Sequence, residues 1–311
     1  MMEYYKTIRR DWLKADTKRD EGLKDSDKLI AIDNIQYGPY GDENLMDIYY
    51  PKQSINSEES VGSLSEGGTE PKKRYPVIIN VHGGAYVYGT KEIYRYYMMS
   101  LAERGFLTVN INYRLAPENS FPATLEDVNE AIKYILAHED EYPVDMQNIF
   151  MVGDSAGANM ASLYACLLTS EEYRKIVNIM LPANISINAI ALNCGLYDPE
   201  FEVPSDLHRP ELNKYLLKEK DVEASKYIGT VNYVTKDFPP TFLMSGYYDF
   251  LKCQVEPMEK ALTENGVEHI TKVYGTKKDK ELSHVFHVNM KLDMAHVCNK
   301  EECEFFKKFI K

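Results

Sequence analysis

Ile149-Phe150-Met151-Val152-Gly153-Asp154-Ser155-Ala156-Gly157 is the stretch on which the reading of this chain turns. Four apolar residues in a row read as a buried strand, and Asn159-Met160-Ala161-Ser162-Leu163-Tyr164-Ala165 reads as the helix that follows. Between them, Gly-x-Ser-x-Gly is the pattern of a nucleophile elbow, a sharp turn that lifts a serine hydroxyl clear of the strand ends. Glycines two before and two after Ser155 remove side chains that would crowd its backbone. Alone, the pentapeptide also describes an ordinary glycine-rich turn, so its meaning depends on what surrounds it.

Working upstream, His82-Gly83-Gly84-Ala85-Tyr86 lies 73 residues before Ser155 and also follows an apolar run, Pro76–Val81. A serine that attacks a carbonyl builds negative charge on oxygen, and fixed backbone N–H groups meet that charge best. The His-Gly-Gly turn lets the backbone approach such an oxygen without obstruction. Gly84, Ala85 and Ala156 are the expected donors of an oxyanion hole. Gly83 is counted with them, mainly as the residue that shapes the turn. Tyr86 and Tyr88, just beyond, are candidate walls of a substrate pocket, although 24 tyrosines in the chain make tyrosine a weak marker.

A third set of residues is Tyr113-Arg114-Leu115-Ala116-Pro117-Glu118, continuing to Phe121-Pro122-Ala123 and Glu126-Asp127. With the other two motifs it resembles the hormone-sensitive-lipase-like branch of the α/β-hydrolase esterases, from roughly residue 75 to the end. One departure is Ala85, where many relatives carry a third glycine; an alanine still presents its N–H. The resemblance implies an α/β-hydrolase fold and hydrolysis of esters through an acyl-enzyme. Arg114, Glu118 and Asp127 read as structural, tying a loop together by charge pairing and hydrogen bonds.

In that family the chain order is serine, acid, histidine. Pro240-Thr241-Phe242-Leu243-Met244-Ser245-Gly246-Tyr247-Tyr248-Asp249 gives an apolar strand, a glycine and then Asp249, with Leu251 as the apolar follower. Asp198 also follows a strand but comes one strand too early. For the base, His284 opens His284-Val285-Phe286, which resembles the family's His-Gly-Phe with valine in place of glycine. His287 competes with it. His269 lies within a strand pattern, His296 within the last helix, and His138 and His208 on a helix surface and in an insertion.

The remaining pattern agrees with a mostly parallel central sheet flanked by helices. Strands are expected near Leu29–Tyr37, Asn44–Tyr50, Val77–Val81, Leu107–Asn112, Ile149–Val152, Ile185–Asn193, Thr241–Ser245 and His269–Tyr274. Helices are expected over Tyr94–Arg104, Ala123–Glu139, Ala158–Thr169, Gln254–Asn265 and an interrupted Val288–Ile310. Apolar strands alternating with amphipathic helices imply a sheet covered on both faces. The expected organisation is a single α/β-hydrolase domain over 1–311. It carries a small cap made of a short amphipathic element in 1–28 (Tyr5, Ile8, Trp12 and Leu13 at helical spacing) and an insertion at about 200–238. Lys52–Arg74 reads as an exposed hairpin loop.

The 311 residues suffice for one sizeable core, and 44% hydrophobic with 27% charged residues is ordinary for a globular chain. A net charge of −12 argues against nucleic acid or an anionic membrane as partner. No apolar run approaches a membrane span, and Met1–Lys6 contains no apolar core of a secretory signal. Five scattered cysteines without a CxxC pair suggest reduced thiols and a cytoplasmic location. No metal motif and no glycine-rich phosphate loop is visible, so no cofactor is expected. A homodimer is compatible with the composition.

The expectation is a serine carboxylesterase for small-molecule esters, with Ser155 as nucleophile, His284 as base and Asp249 as its orienting acid. Polar cap pieces point to short acyl chains, with an optimum at or below about six carbons. The alternatives are an arylformamidase or peptidase-type amide hydrolase, or a non-catalytic ligand-binding relative on the same scaffold.

Overall fold

The computed structural model describes residues 3–52, 73–183, 185–201 and 209–311. Helix α1 (Tyr4–Asp20) is followed by β1 (Leu29–Gln36) and β2 (Leu45–Pro51), an antiparallel pair. Then come β3 (Tyr75–Val81), α2 (Lys91–Ala102), β4 (Leu107–Ile111), α3 (Ala123–Ala137), β5 (Val144–Asp154), α4 (Ala156–Thr169) and α5 (Glu171–Ile176). The chain continues through β6 (Ala189–Asn193), α6 (Arg209–Leu217), α7 (Ala224–Ile228), β7 (Thr241–Gly246), α8 (Val255–Glu264), β8 (His269–Tyr274) and α9 (Asp293–Lys307).

The eight strands form one sheet in the order β1-β2-β4-β3-β5-β6-β7-β8. Pairing is antiparallel up to the β2–β4 contact and parallel from β4 to β8. The alternation of side chains along a strand divides the core into two layers. Val77, Ile79, Ile149 and Met151 face a cluster that includes Ile132 of α3, Leu163 of α4 and Met258 of α8. Ile78, Phe150 and Val152 face the other way, toward Met98 of α2 and Phe306 of α9. Strands buried on both faces cannot show a polar face, which is why they read as unbroken apolar runs in the sequence.

This topology also places the site. From β3 the chain moves to one side to form β4, then returns past β3 to form β5 on its other side. At such a reversal, the loops leaving the carboxyl ends of neighbouring strands part and leave a crevice. The turn after β3 begins at His82 and the turn after β5 holds Ser155, on strands paired through Val81 and Gly153.

Several bounds differ from expectation. Strand β5 begins at Val144, ahead of the apolar run, because it also pairs with Tyr75. Strand β6 is only Ala189–Asn193, shorter than expected. Helix α5 was not anticipated; Ser170 caps it by accepting the Tyr173 N–H at 3.2 Å. The last helix starts at Asp293, later than the pattern suggested, since Phe286–Val288 is a separate 3-10 turn entered through Val285 at φ 52°. The N-terminal element is a 17-residue helix and not a short one. Most of the stretch read as a hairpin loop, 53–72, lies outside the described residues, as do 202–208 of the insertion.

Helix α1 is polar on most of its surface, with Tyr5 and Ile8 buried. It is held by side chains that reach across to the loops after β3 and β4. Arg9 donates to the carbonyls of Val87 (2.7 Å) and Ala116 (3.0 Å) and forks onto Glu118 at 2.7 and 2.8 Å. Tyr5 meets Tyr215 of α6 edge to face with ring centres 5.3 Å apart. No helix among the described residues is long and apolar enough to cross a membrane.

Candidate active site

Ser155 stands between the end of β5 and the start of α4 at φ 52°, ψ −120°, a conformation that costs a non-glycine residue about 1–3 kcal/mol. The flanking glycines have specific reasons. A Cβ on Gly157 would stand 2.0 Å from the Val81 carbonyl oxygen, and one on Gly153 would stand 2.6 Å from the Gly157 carbonyl oxygen. The Ser155 N–H is fixed by donating to the Asn193 carbonyl at the end of β6, at 2.9 Å.

His284 lies in the loop that follows β8, and its Nε2 is 2.9 Å from Ser155 Oγ. On the far side of the ring, Nδ1 is 2.7 Å from Asp249 Oδ1. Asp249 sits just past β7 and is tightly held. Leu251 N–H donates to Oδ1 at 2.9 Å and Ser245 Oγ donates to Oδ2 at 2.7 Å. Burial opposes ionisation of this carboxyl. The His284 ring, with these hydrogen bonds, more than offsets it and holds Asp249 below the usual carboxylate range. The Phe250 ring covers the His284 ring at 4.1 Å.

The other candidates lie elsewhere. Asp198 Oδ1 accepts the N–H groups of Glu200 and Phe201 in its own turn. His287 is fully buried, neither ring nitrogen has a partner among the described residues, and burial with repulsion from His284 pushes it down to about 3. His269 Nδ1 donates to the Val267 carbonyl, His296 Nε2 to that of Met290, and His138 Nδ1 to that of Tyr134. His208 lies outside the described residues.

The turn after β3 is tightly packed. Gly84 has φ 130°, and a Cβ there would lie 1.9 Å from the Tyr88 carbonyl oxygen. Ala85 and Tyr86 follow at φ 52° and 66°. Among the described residues, no hydrogen bond engages the N–H groups of Gly84, Ala85 or Ala156. Gly83 is different and corrects its place in the expected oxyanion hole. Its N–H already donates to Asp154 Oδ1 and to the Tyr94 hydroxyl, both at 3.0 Å, so it braces the turn from behind. Asp154 is fully buried, and burial pushes its carboxyl up to about 6 despite those donors. His82 is also buried and stacked on Tyr113 at 4.1 Å, and burial pushes it down to about 4.

Arg114 pairs with Asp127 at 2.9 Å and Glu126 at 2.8 Å, which ties the loop after β4 to α3. Glu118 instead receives Arg9 of α1, a partner 109 residues away that sequence spacing could not reveal. The Cys194 thiol lies with the Asp249 carboxylate and His284 within 4.8 Å, a set of metal-capable atoms that the sequence reading did not connect. Two of the three are already bonded to each other.

Two hollows meet at Ser155, and Trp12, Phe250 and His284 border both. One is walled by Tyr4, Ile8, Leu196, Leu212 and Leu251 and includes Tyr86. The other includes Tyr88 with Asp16, Arg19 and Tyr94. Tyr86 donates its hydroxyl to Asn159 Oδ1 at 3.0 Å, and Tyr88 donates to Asp16 Oδ2 at 2.7 Å. Trp12, Phe250, Asp16 and Arg19 were not anticipated as site residues. The Tyr5-Ile8-Trp12 spacing was the one signal available, and it marked an apolar face without saying what the face covers.

The family model described as BD-FAE matches residues 68–261. Esterase LipQ of Mycobacterium tuberculosis is 29% identical over 221 residues, covering 70% of this chain and 48% of that protein. An acetyl esterase of Salmonella schwarzengrund is 29% identical over 186 residues, covering 56% of this chain and 55% of that protein. The chain thus spans about half the length of these curated relatives. Among solved structures, esterase B from Lactobacillus rhamnosis superposes with a TM-score of 0.84 over 98% of this chain and 94% of that one, at 22% identity. At that identity the likeness shows a shared α/β-hydrolase fold.

Proposed function

The chain belongs to the BD-FAE family of hormone-sensitive-lipase-like serine esterases, and on that footing we propose that it is a carboxylesterase for short-chain acyl esters that works through Ser155, His284 and Asp249. The observation that carries this is the unbroken line of hydrogen bonds from Ser155 Oγ to His284 Nε2 (2.9 Å) and from His284 Nδ1 to Asp249 Oδ1 (2.7 Å). In the proposed cycle, His284 takes the hydroxyl proton as Oγ attacks the ester carbonyl, and then returns it to the departing alcohol. Asp249, ionised and acceptor-only, keeps the remaining ring proton on Nδ1 and stabilises the imidazolium. The N–H groups of Gly84, Ala85 and Ala156 receive the oxyanion. Water then repeats the sequence on the acyl-enzyme.

In this reading α1 and the α6–α7 segment serve as a small cap on a single domain. Five cysteines, with no disulfide among the described residues, suit a reducing, cytoplasmic setting. The apolar hollow, closed by Tyr4 and Leu212 from the two cap pieces, favours short acyl groups.

Ser155→Ala should lower kcat/KM for 4-nitrophenyl acetate by about four to six orders of magnitude while the circular dichroism spectrum is unchanged. A fluorophosphonate probe should label the wild-type chain at Ser155 alone. A mapped adduct on another residue would overturn the assignment. In the 4-nitrophenyl series from acetate to palmitate, kcat/KM should peak at or below about six acyl carbons, each methylene adding ~0.8 kcal/mol until the hollow is full. A peak at about ten carbons or more would contradict the short-chain reading.

A further inference from the structure

The hollow that Asp16 borders differs in chemistry from its neighbour. Asp16 Oδ1 accepts one Arg19 N–H at 2.8 Å, and Oδ2 accepts the Tyr88 hydroxyl at 2.7 Å. Arg19 is itself fixed, by Asp20 at 2.6 and 2.7 Å and by the Ile93 carbonyl at 2.6 Å. An ionised carboxylate has about four lone-pair sites, so two remain after these bonds. The Asp16 side chain keeps 22% of its exposure, and it borders the hollow that ends at Ser155 and His284.

We propose that this hollow holds the alcohol half of the ester and that Asp16 selects hydroxyl-bearing alcohols, which makes short-acyl esters of polyhydroxy alcohols the favoured substrate class. The proposal rests on the esterase reading above and adds to it the identity of the alcohol. An alkyl chain placed against Asp16 would displace water from a carboxylate and offer it no donor in return. A hydroxyl would replace that water with a charge-assisted hydrogen bond. Arg19 and Tyr88 hold the acceptor in place before substrate arrives, so little side-chain freedom is lost on binding. Asp16 and Asp20 together outnumber Arg19, which disfavours an anionic alcohol half. The alkyl acyl group goes to the other hollow, where Ile8, Leu196 and Leu212 supply apolar contact. Trp12 borders both hollows and so separates the two halves of the substrate.

A matched pair of esters tests this: glycerol monoacetate and propyl acetate, which share the acyl group and a three-carbon alcohol. The readout is the ratio of their kcat/KM values on one enzyme preparation, divided by the ratio of their alkaline hydrolysis rates. Any loss of active protein cancels in that ratio. In the wild type it should exceed about ten, the scale of one net hydrogen bond to a charged acceptor that keeps some contact with water. Asp16→Ala should bring it close to one, mainly through KM for the glycerol ester. If that variant does not fold, Tyr88→Phe, which frees one side of Asp16, should lower the ratio by about three-fold or more. A wild-type ratio near one, or a ratio that neither variant changes, would overturn the inference while leaving the esterase reading intact. Failure to hydrolyse either ester, or 4-nitrophenyl acetate, would defeat that reading and the inference with it.

Discussion

At Ser155 and Val285 the backbone lies in the left-handed region, and the two residues flank the same line of hydrogen bonds. A β-branched side chain at φ 52° is unfavourable by about 1–3 kcal/mol, yet the turn at Val285 still delivers His284 to Ser155. Beneath them lies a group that the proposed chemistry does not use. Glu302 of α9 is fully buried, takes the Tyr97 hydroxyl and Asn193 Nδ2 at 2.9 Å each, and is pushed up by burial to about 7. Its ordinary value is 4.5. Between these two values the folded chain keeps a proton that the unfolded chain releases, so stability falls as pH rises through that window. His287 works in the opposite sense, because its value drops from 6.5 to about 3. There the unfolded chain binds a proton that the fold refuses, and stability falls as pH drops. Glu302→Gln removes only the first effect. It should therefore stabilise the protein at pH 8 by about 3 kcal/mol, with the gain shrinking toward zero near pH 4. Denaturant midpoints of both proteins across that range measure this; a gain that does not change with pH would refute it.

At the scale of elements, α1 is the piece whose docking is least built from apolar packing. Two of its residues are buried, and Arg9 makes its longest-range polar contacts. The Arg9–Glu118 pair is partly exposed and worth about 1 kcal/mol or less, whereas the two carbonyl contacts are half-buried. Arg9→Ala should loosen α1 without unfolding the sheet. Amide exchange over 4–20 should quicken about ten-fold or more while the melting temperature falls by only a few degrees. Unchanged exchange in that helix would show that Tyr5, Ile8 and the contacts of Asp16 and Arg19 hold it without Arg9. The same element marks where sequence reading stopped. The central strands were legible because burial on both faces leaves continuous apolar runs, and Ser155 and the His82 turn were legible because each directly follows such a run. The position of Asp249 was readable for the same reason. Tyr86 and Tyr88 apart, the pocket walls were not, since many of them come from 4–19 and from α6, whose polar sequences show no sign of what they cover. Nor could spacing reveal that Gly83 turns its N–H inward to Asp154, because that depends on an aspartate 71 residues away.

Across the whole molecule, one reversal in strand order brings these pieces together. The His82 turn, the Ser155 turn and the loops carrying Asp249 and His284 all leave the carboxyl ends of parallel strands, and α1 and α6 contribute walls to the hollow that meets Ser155 and His284. In the proposed reading, the loops of the α/β sheet supply the reactive groups, while the segments packed against it supply the walls that choose a substrate. Trp12 belongs to those walls, is 38% exposed and meets Tyr88 edge to face at 5.8 Å. It is also the single tryptophan of the chain. All indole fluorescence of the protein thus originates at the partition between the two hollows, a few ångströms from a tyrosine able to pass excitation to it. The protein carries its own optical reporter: ligand entry, the proposed acylation and movement of α1 can each be followed by emission and quenching, with no dye attached and no chromogenic ester required.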